Sequence, residues 1–424
     1  MSGDVMQVEE PSARYLLRTD AQEVPRGYKR CEIGVIPEDW ETRVLSDVSD
    51  CLDNRRVPLN EAQRAQMQGD IPYCGANGVL DYVNDFVVDD DIILIAEDGG
   101  YFDEYATRPI AYRMKGKCWV NNHAHILKAR SVQDQSFLFY SLVHKNILPF
   151  LASGTRAKLN KSEMRKIVVQ SPPSVSEQRA IAEALSDMDG LLGALDALIA
   201  KKRAIKQATM QQLLTGKTRL PGFRGKWETK RLEQIAEVKT GPYGSALHER
   251  DYVPEGTPII TVEHLGERGV LHANLPMVSD ADRVRLKAYE LTAGDIVFSR
   301  VGSIDRNALI RPSEDGWLFS GRLLRVRPDN ARTSSPYLSY HFHGEHFKAH
   351  VREVAVGQTM ASLNTSILQA VEVAVPTLDE QSAIAAVLSD MDAEIAALEA
   401  RRDKTRALKL GMMQQLLTGR IRLA

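Results

Sequence analysis

EQRAIAEALSDMD, residues 177–189, returns as EQSAIAAVLSDMD, residues 380–392, and MQQLLTGKTRL, residues 210–220, returns as MQQLLTGRIRL, residues 413–423. The stretches 173–220 and 376–423 align without a gap at a constant offset of 203, with 27 of 48 positions identical. Internal repetition of this strength defines the architecture before any single motif does. Fainter echoes lie upstream of each copy. WETRVL at Trp40 answers WETKRL at Trp227, and Asp91-Ile-Ile-Leu-Ile answers Asp295-Ile-Val-Phe-Ser. Trp119 and Trp317 each precede a polar-then-apolar run, and GTRAKLN at Gly154 has its counterpart in GQTMASLN at Gly357. The chain reads as two units, each a variable domain followed by a near-constant segment.

The constant segments carry apolar residues at steps of four and three. They are Ile181, Leu185, Met188, Leu192, Leu195 and Ile199 in the first, and Ile384, Leu388, Met391, Ile395 and Leu398 in the second. That spacing keeps one seam of a helix facing a partner, the coiled-coil pattern. Ser174-x-x-Glu177 and Thr377-x-x-Glu380 have capping-box form, in which hydroxyl and carboxylate satisfy orphan backbone N–H groups. Each helix stops at Thr-Gly, with Gly216 and Gly419 suited to a left-handed C′ position. Roughly 40 residues at about 1.5 Å each make a rod of about 60 Å. Two near-identical stripes most simply pair with each other, antiparallel. Beyond Ile199 and Leu398 the seam weakens and the surface turns basic, with ten Lys or Arg against Glu228 in 201–231 and seven against Asp403 in 401–422. Two readings stand side by side: solvated helix ends complementing the dipole, or a docking surface for a partner or for DNA phosphates.

The 424 residues suggest two or three domains at about 150 residues each, and 43% hydrophobic content excludes wholesale disorder. No apolar run reaches the roughly 20 residues of a membrane helix, and the acidic start MSGDVMQVEE lacks signal-peptide order. Four cysteines (Cys31, Cys51, Cys74, Cys118) without a CxxC pair argue against a disulfide framework or zinc knuckle. The expectation is a soluble, cytoplasmic protein. In the variable domains, β-branched runs bounded by Gly, Asp or Asn read as strands of an irregular α/β domain. A helical patch at 137–151 is matched in position by 337–354. Charge is segregated: 81–104 holds nine acids and no base, 105–170 holds twelve bases and two acids, and 300–332 holds seven arginines against four acids. A net charge of −2 does not exclude a DNA binder, because phosphate contact depends on local Lys and Arg.

Other motifs lack what their chemistry needs. Ser171-Pro-Pro-Ser174 has the shape of an amino-methyltransferase tetrad, but Ser174 cannot stack on a flipped base and no cofactor loop accompanies it. Thr215-Gly-Lys-Thr218 ends like a P-loop, yet Gln211 stands where the first glycine belongs. His341, His343, His346 and His350 form no HExxH, and His123-x-His125 shows no third ligand in sequence. No nucleophile–base constellation emerges.

The two-unit layout resembles the specificity subunit of type I restriction–modification systems. The resemblance is carried by IPEDWE from Ile36, LPGFRGKWE from Leu220 and the two EQxAIAxxLSDMD…MQQLLTG helices, and it covers the chain from about Lys29. It implies an α/β fold: two target-recognition domains separated by two long helices that pair as an antiparallel coiled coil, a pseudo-twofold internal repeat. The corresponding boundaries are an N-terminal extension at 1–28, recognition domains at 29–172 and 217–375, and spacer helices at 173–216 and 376–424. It further implies that each domain reads one half of a bipartite, asymmetric site in double-stranded DNA. The helices would set the gap and dock two modification subunits, with two motor–nuclease subunits beyond them. S-adenosylmethionine, ATP and Mg²⁺ would bind those partners, and this chain would be non-catalytic, with no metal and no membrane contact. Half-sites one helical turn apart, about 34 Å, fall within the rod's reach.

Bidentate side chains, Arg to guanine and Asn or Gln to adenine, are the preferred vocabulary of base reading. On that ground the candidates in the first domain are Arg55, Arg56, Asn77, Asn121, Asn122, Arg156, Lys158 and Lys161. In the second they are Tyr243, Ser245, His264, Arg300, Arg306, Arg322 and Gln358. They lie in Gly-flanked loops or basic stretches, where exposed recognition residues usually sit. The competing class is a coiled-coil adaptor whose variable domains bind proteins, favoured by the near-neutral charge. A third is an enzyme, which methylation of adenine by the purified chain alone would reveal.

The rod supplies a geometric prediction. One heptad inserted into one helix disturbs the pairing, whereas matched heptads in both lengthen the gap between half-sites, as read by mapping methylated sites. Unchanged spacing with matched insertions removes the helices as the ruler.

Overall fold

The computed structural model describes residues 24–152, 157–242, 246–266, 269–355 and 362–423. The chain divides into two units, Met1–Leu195 with Arg401–Ala424, and Asp196–Ala400. Each variable domain therefore keeps the first part of the helix that follows it and gains the last part of the other.

The first domain is organised by a six-stranded sheet. Its strands are β1 (Ser49–Cys51), β2 (Gln68–Gly75), β3 (Gly78–Val83), β4 (Val88–Ala96), β5 (Ala111–Val120) and β6 (Ala124–Ala129), in the order β1-β6-β4-β5-β2-β3. Only β2 and β5 run parallel, Tyr73 beside Trp119. Strand β4 ends in Ile-Ile-Leu-Ile-Ala, all fully buried, because it is a central strand covered on both faces. Its alternation feeds two cores. Ile93 and Ile95 pack with Leu138 and Leu142 of helix α1 (Gln135–Val143), whereas Ile92 and Leu94 pack with Cys74, Cys118 and Ile126.

The second domain repeats the central part of this plan. Strands β7 (Ala236–Thr240), β8 (Ile296–Ser299), β9 (Asn307–Leu309) and β10 (Leu323–Pro328) form a sheet ordered β7-β10-β8-β9. Ile296 and Phe298 face Leu338 and Phe342, while Val297 faces Ile260 and Phe319. The sequence echoes map onto like places. Strand 91–95 and strand 295–299 are the sheet centres, and Trp317 precedes Leu318–Phe319, which runs parallel to Thr257–Ile260 as Trp119 runs beside Tyr73. His341 is half-buried against Tyr337, Phe342 and Phe347, and its desolvation there lowers its pKa to about 4. The histidine cluster is thus split between core packing and surface, with Gly344 separating helix α2 (Ser335–His343) from the next.

The two long helices, Val175–Leu213 and Leu378–Leu416, are 39 residues each. Of the expected seam, Ile181, Leu185, Leu195, Ile199, Ile384, Leu388 and Ile395 are buried, and Met188, Leu192, Met391 and Leu398 are half-buried. Within each unit the helix segments run antiparallel. In the second, Lys206 binds Asp392 at 2.6 Å and Arg203 binds Glu399 at 2.6 Å; in the first, Lys409 binds Asp189 at 2.6 Å. Tyr140 donates to Asp189 and Tyr340 to Asp392, both at 2.8 Å. Lys206 and Asp392 recur as Lys409 and Asp189 at the offset of 203, and the two tyrosines stand 200 residues apart.

Two expectations are corrected. The weakening of the seam beyond Ile199 and Leu398 is an interruption, not an end. The seam continues through half-buried Lys206 and Lys409 to buried Met210, Leu213, Met413 and Leu416. The lysines broke the apolar pattern because their partners are carboxylates on the facing helix. The capping boxes are also not closed as expected. Ser174 and Thr377 precede the helices, and Thr377 Oγ1 accepts from Glu380 N at a long 3.4 Å. Both glutamates, however, hold arginines: Glu177 with Arg422 (2.5 Å), and Glu380 with Arg219 (2.5 Å). Gly216 and Gly419 take the left-handed conformation, at φ 67° and 68°. Among the described residues no helix is long and apolar enough to cross a membrane.

Removing one carboxylate strands a lysine in the seam. Asp392→Ala is expected to cost about 1–3 kcal/mol in denaturant unfolding. Asp189→Ala should cost less, because Asp189 is 41% exposed against 24% for Asp392. Equal, negligible losses would show that the pairs contribute nothing.

Candidate nucleic-acid interface

Charge segregation along the chain is largely cancelled in space. The acidic strand β4 lies antiparallel to basic β5, pairing Asp91 with Lys115 in register, and Arg113 clasps Asp91 through two of its guanidinium nitrogens, Nε and Nη2. Lys128 binds Asp90 at 2.5 Å. In the second domain Arg325 is buried and binds Glu237 at 2.9 Å, and Arg327 binds buried Asp295 at 2.7 Å. Much of each basic stretch is thus internal balance, and the surface left for a polyanion is smaller than the counts suggest.

Arg56 belongs to such a network. It follows the turn Asp53–Arg55 and binds Glu97 at the end of β4, Asp53 at 3.3 Å and the carbonyl of Ala124 at 3.3 Å. Lys158 reaches the same Glu97 at 2.9 Å. Behind them His125 is buried, with Nδ1 2.7 Å from Asp53 and Nε2 2.8 Å from the carbonyl of Leu159. Burial pushes the Asp53 carboxyl up, but hydrogen bonds from His125 and the Ile126 N–H outweigh it and bring its pKa to about 2. Cys51, Asp53 and His125 have ligand atoms mutually within 4.8 Å, a grouping that His123-x-His125 alone did not disclose. Both nitrogens of His125 are already engaged there.

The second domain holds the opposite charge at the equivalent place. Leu159 N donates to Glu97 O at 2.7 Å, and Leu363 N donates to Arg300 O at 2.8 Å. Where the first domain has an arginine-bound Glu97, the second has half-buried Arg300, whose guanidinium donates to Thr240 at 3.3 Å. Arg322 is exposed beside it, its carbonyl accepting from Arg300 N. Arg306 is exposed and donates to the carbonyl of Leu265. His264 is 5% exposed, and its Nδ1 caps the Thr261 N–H at 3.2 Å, so its ring serves a local turn.

Asn121 and Asn122, between β5 and β6, line a cleft of about 520 Å³ together with Asn60, Gln63, Arg64, Leu80 and His123. Asn60 and Gln63 were not singled out in sequence; the signal was the turn at Leu59-Asn60 followed by a short helix, Glu61–Gln66. Asn77 sits exposed on the β2–β3 turn and donates to the Gly99 carbonyl at 2.8 Å. Arg55 is exposed, and Lys161 borders a separate depression of about 170 Å³ with Cys51 and Arg130. Arg156, Tyr243, Ser245 and Gln358 lie outside the described residues, as do residues 1–23 of the N-terminal extension.

The sequence matches the type I restriction modification DNA specificity domain twice, over residues 37–203 and 224–405, and the chain belongs to that family. Each match takes in one variable domain and much of the helix after it. Its class is the specificity subunit, the DNA-recognition component of type I restriction–modification systems. The MjaVIII specificity subunit of Methanocaldococcus jannaschii is 22% identical over 413 residues, covering 91% of this chain and 94% of its own. A Haemophilus influenzae protein named as specificity subunit S.HindORF215P is 26% identical over 358 residues, covering 83% and 87%. The S subunit from M. genitalium has a like fold, with a TM-score of 0.58 at 15% identity over 89% of this chain and 96% of that one. A chain from work on assembly of the type I R-M system gives 0.55 at 14% identity over 91% and 99%.

Because the folded pKa of Asp53 lies below its ordinary 3.8, its stabilisation is complete above that value and is lost as pH falls toward about 2. Asp53→Asn should therefore flatten the fall in denaturant midpoint across that window. An unchanged acid slope would show that Asp53 carries none of it.

Proposed function

We propose that each domain reads one half of a bipartite, asymmetric DNA site, and that the long helices set the gap and dock two modification subunits. The chain itself performs no bond chemistry. Adenine methylation with S-adenosylmethionine belongs to the modification subunits, and ATP- and Mg²⁺-dependent cleavage to two motor–nuclease subunits, all working on cytoplasmic DNA.

One observation supports this above the rest. The contacts of the frame repeat at an offset of 203, Lys206–Asp392 with Lys409–Asp189 and Arg219–Glu380 with Arg422–Glu177, while equivalent surface positions carry Glu97 and Arg300. A frame kept twice with unlike residues at equivalent places, an ion-paired Glu97 in one domain and Arg300 in the other, suits two readers of different sequences served by two like partners. In the first domain the proposed contacts are Arg55, Asn77, Asn121, Asn122, Lys158 and Lys161. In the second they are Arg300, Arg306 and Arg322. Arg156, Tyr243, Ser245 and Gln358, which lie outside the described residues, complete the set. Arg56 and His264 support these surfaces from behind.

The test is methylome sequencing of cells with and without the gene, alongside its modification subunit. The expected result is loss of one bipartite, asymmetric methyl-adenine motif. A methylome that does not change while the modification subunit is active overturns the reader role and favours the protein-binding adaptor. Arg322→Ala should alter one half-site, or lower the salt dependence of DNA affinity by about one charge, without touching the other half-site.

A further inference from the structure

The cleft of the first domain has a chemical bias set by how its amides are held. Asn60 Oδ1 accepts from Gln63 N, and Gln63 Oε1 accepts from Asn60 N, both at 2.9 Å. Asn121 Oδ1 accepts from His123 N at 2.8 Å. A backbone N–H bonds only the oxygen of an amide, so the orientation of all three groups is fixed by chemistry. Each planar amide then turns its NH₂ away from the bonded side, and these nitrogens donate to no described residue.

Bidentate reading of adenine needs the oxygen and the nitrogen of one amide on the same base edge. With the oxygens tied back, the cleft offers donors. Guanine in the major groove presents two acceptors, O6 and N7. Phosphate oxygens are acceptors too, but two features oppose them. Arg64, the cation of the cleft, is bound to Asp81 at 3.0 Å, and Leu80 stands 63% exposed on the rim, where it would strip water from a phosphate. We infer, resting on the DNA-reading role above, that this cleft selects a G·C pair in the first domain's half-site, with exposed Gln63 as the discriminating donor and Asn121, 4% exposed on the cleft floor, as the second.

Two isosteric variants test this. Gln63→Glu keeps the oxygen that bonds Asn60 N, glutamate being a usual capping-box residue, and replaces the outward donor with an acceptor. Asn121→Asp does the same beside His123. Each full-length chain is expressed with its modification subunit in cells free of other adenine methylation, and methylated sites are mapped by single-molecule sequencing.

Methylation at the wild-type motif should fall about tenfold or more in either variant. Newly methylated sites should carry adenine or cytosine in place of guanine at one position of one half-site, with the other half-site and the gap unchanged. A wild-type half-site lacking any G·C pair overturns the inference, as does wild-type methylation in both variants. Uniform weakening with the motif unchanged also overturns it and assigns the cleft to phosphate. If Asn121→Asp loses all methylation through misfolding, the exposed Gln63→Glu decides alone. Absence of any bipartite motif in wild-type cells is a separate outcome, and it sinks the reader role itself.

Discussion

Two aspartates in the helix seam, Asp189 and Asp392, hold the architecture in register. Each takes a lysine from the facing helix and a tyrosine hydroxyl from the adjacent domain. A polar pair in an otherwise apolar seam adds little net stability, since desolvation offsets much of the attraction. What it supplies is uniqueness. Any slip of one helix along the other leaves a lysine and an aspartate half-buried and unpaired, so one alignment is favoured over its neighbours. The tyrosine bond extends that choice to the domain, because the carboxylate that sets helix register also fixes where Tyr140 or Tyr340 sits.

Around these pairs each unit builds the same floor. Trp40 lies under the Arg422 guanidinium, 5.8 Å from ring centroid to Cζ, and Trp227 under Arg219 at 5.5 Å. Each arginine also grips the glutamate at the start of a long helix. Helices α1 and α2 stand on this floor through Phe137, Tyr140 and Tyr337, and the sheets packed on their other sides are free to differ. This accounts for a repeat that is strong in the helices and faint in the domains: the constrained positions are those that touch the frame.

The frame was legible in the sequence wherever physics is periodic. Heptad spacing gave Ile181 to Ile199, and glycine at a helix end gave Gly216 and Gly419. It became illegible where an interaction joined distant residues of unlike type. Lys206 looked like the beginning of a solvated end because Asp392 is remote in the chain, and Glu177 looked like a cap because Arg422 is remote. The recognition surface was less legible for the same reason. Arg56 is a cation in a loop, like any reader, yet its charge is held by Glu97 and Asp53. Composition counts cations without their partners. Gln63 escaped notice because its distinguishing property is the direction of its amide, set by a hydrogen bond to Asn60.

The division of the chain bears on its biosynthesis. The second unit is one continuous stretch, Asp196–Ala400, whereas the first needs Arg401–Ala424 as well as its own beginning. Ile36, Trp40, Phe137, Ile181 and Leu185 share a core with Met413 and Leu416. Those apolar side chains are translated early and covered only once the segment Arg401–Ala424 has been made. A nascent or C-terminally truncated chain therefore carries an uncovered sticky patch on helix α1 and the long helix beside an otherwise finished domain, a natural target for chaperones and for quality-control proteolysis.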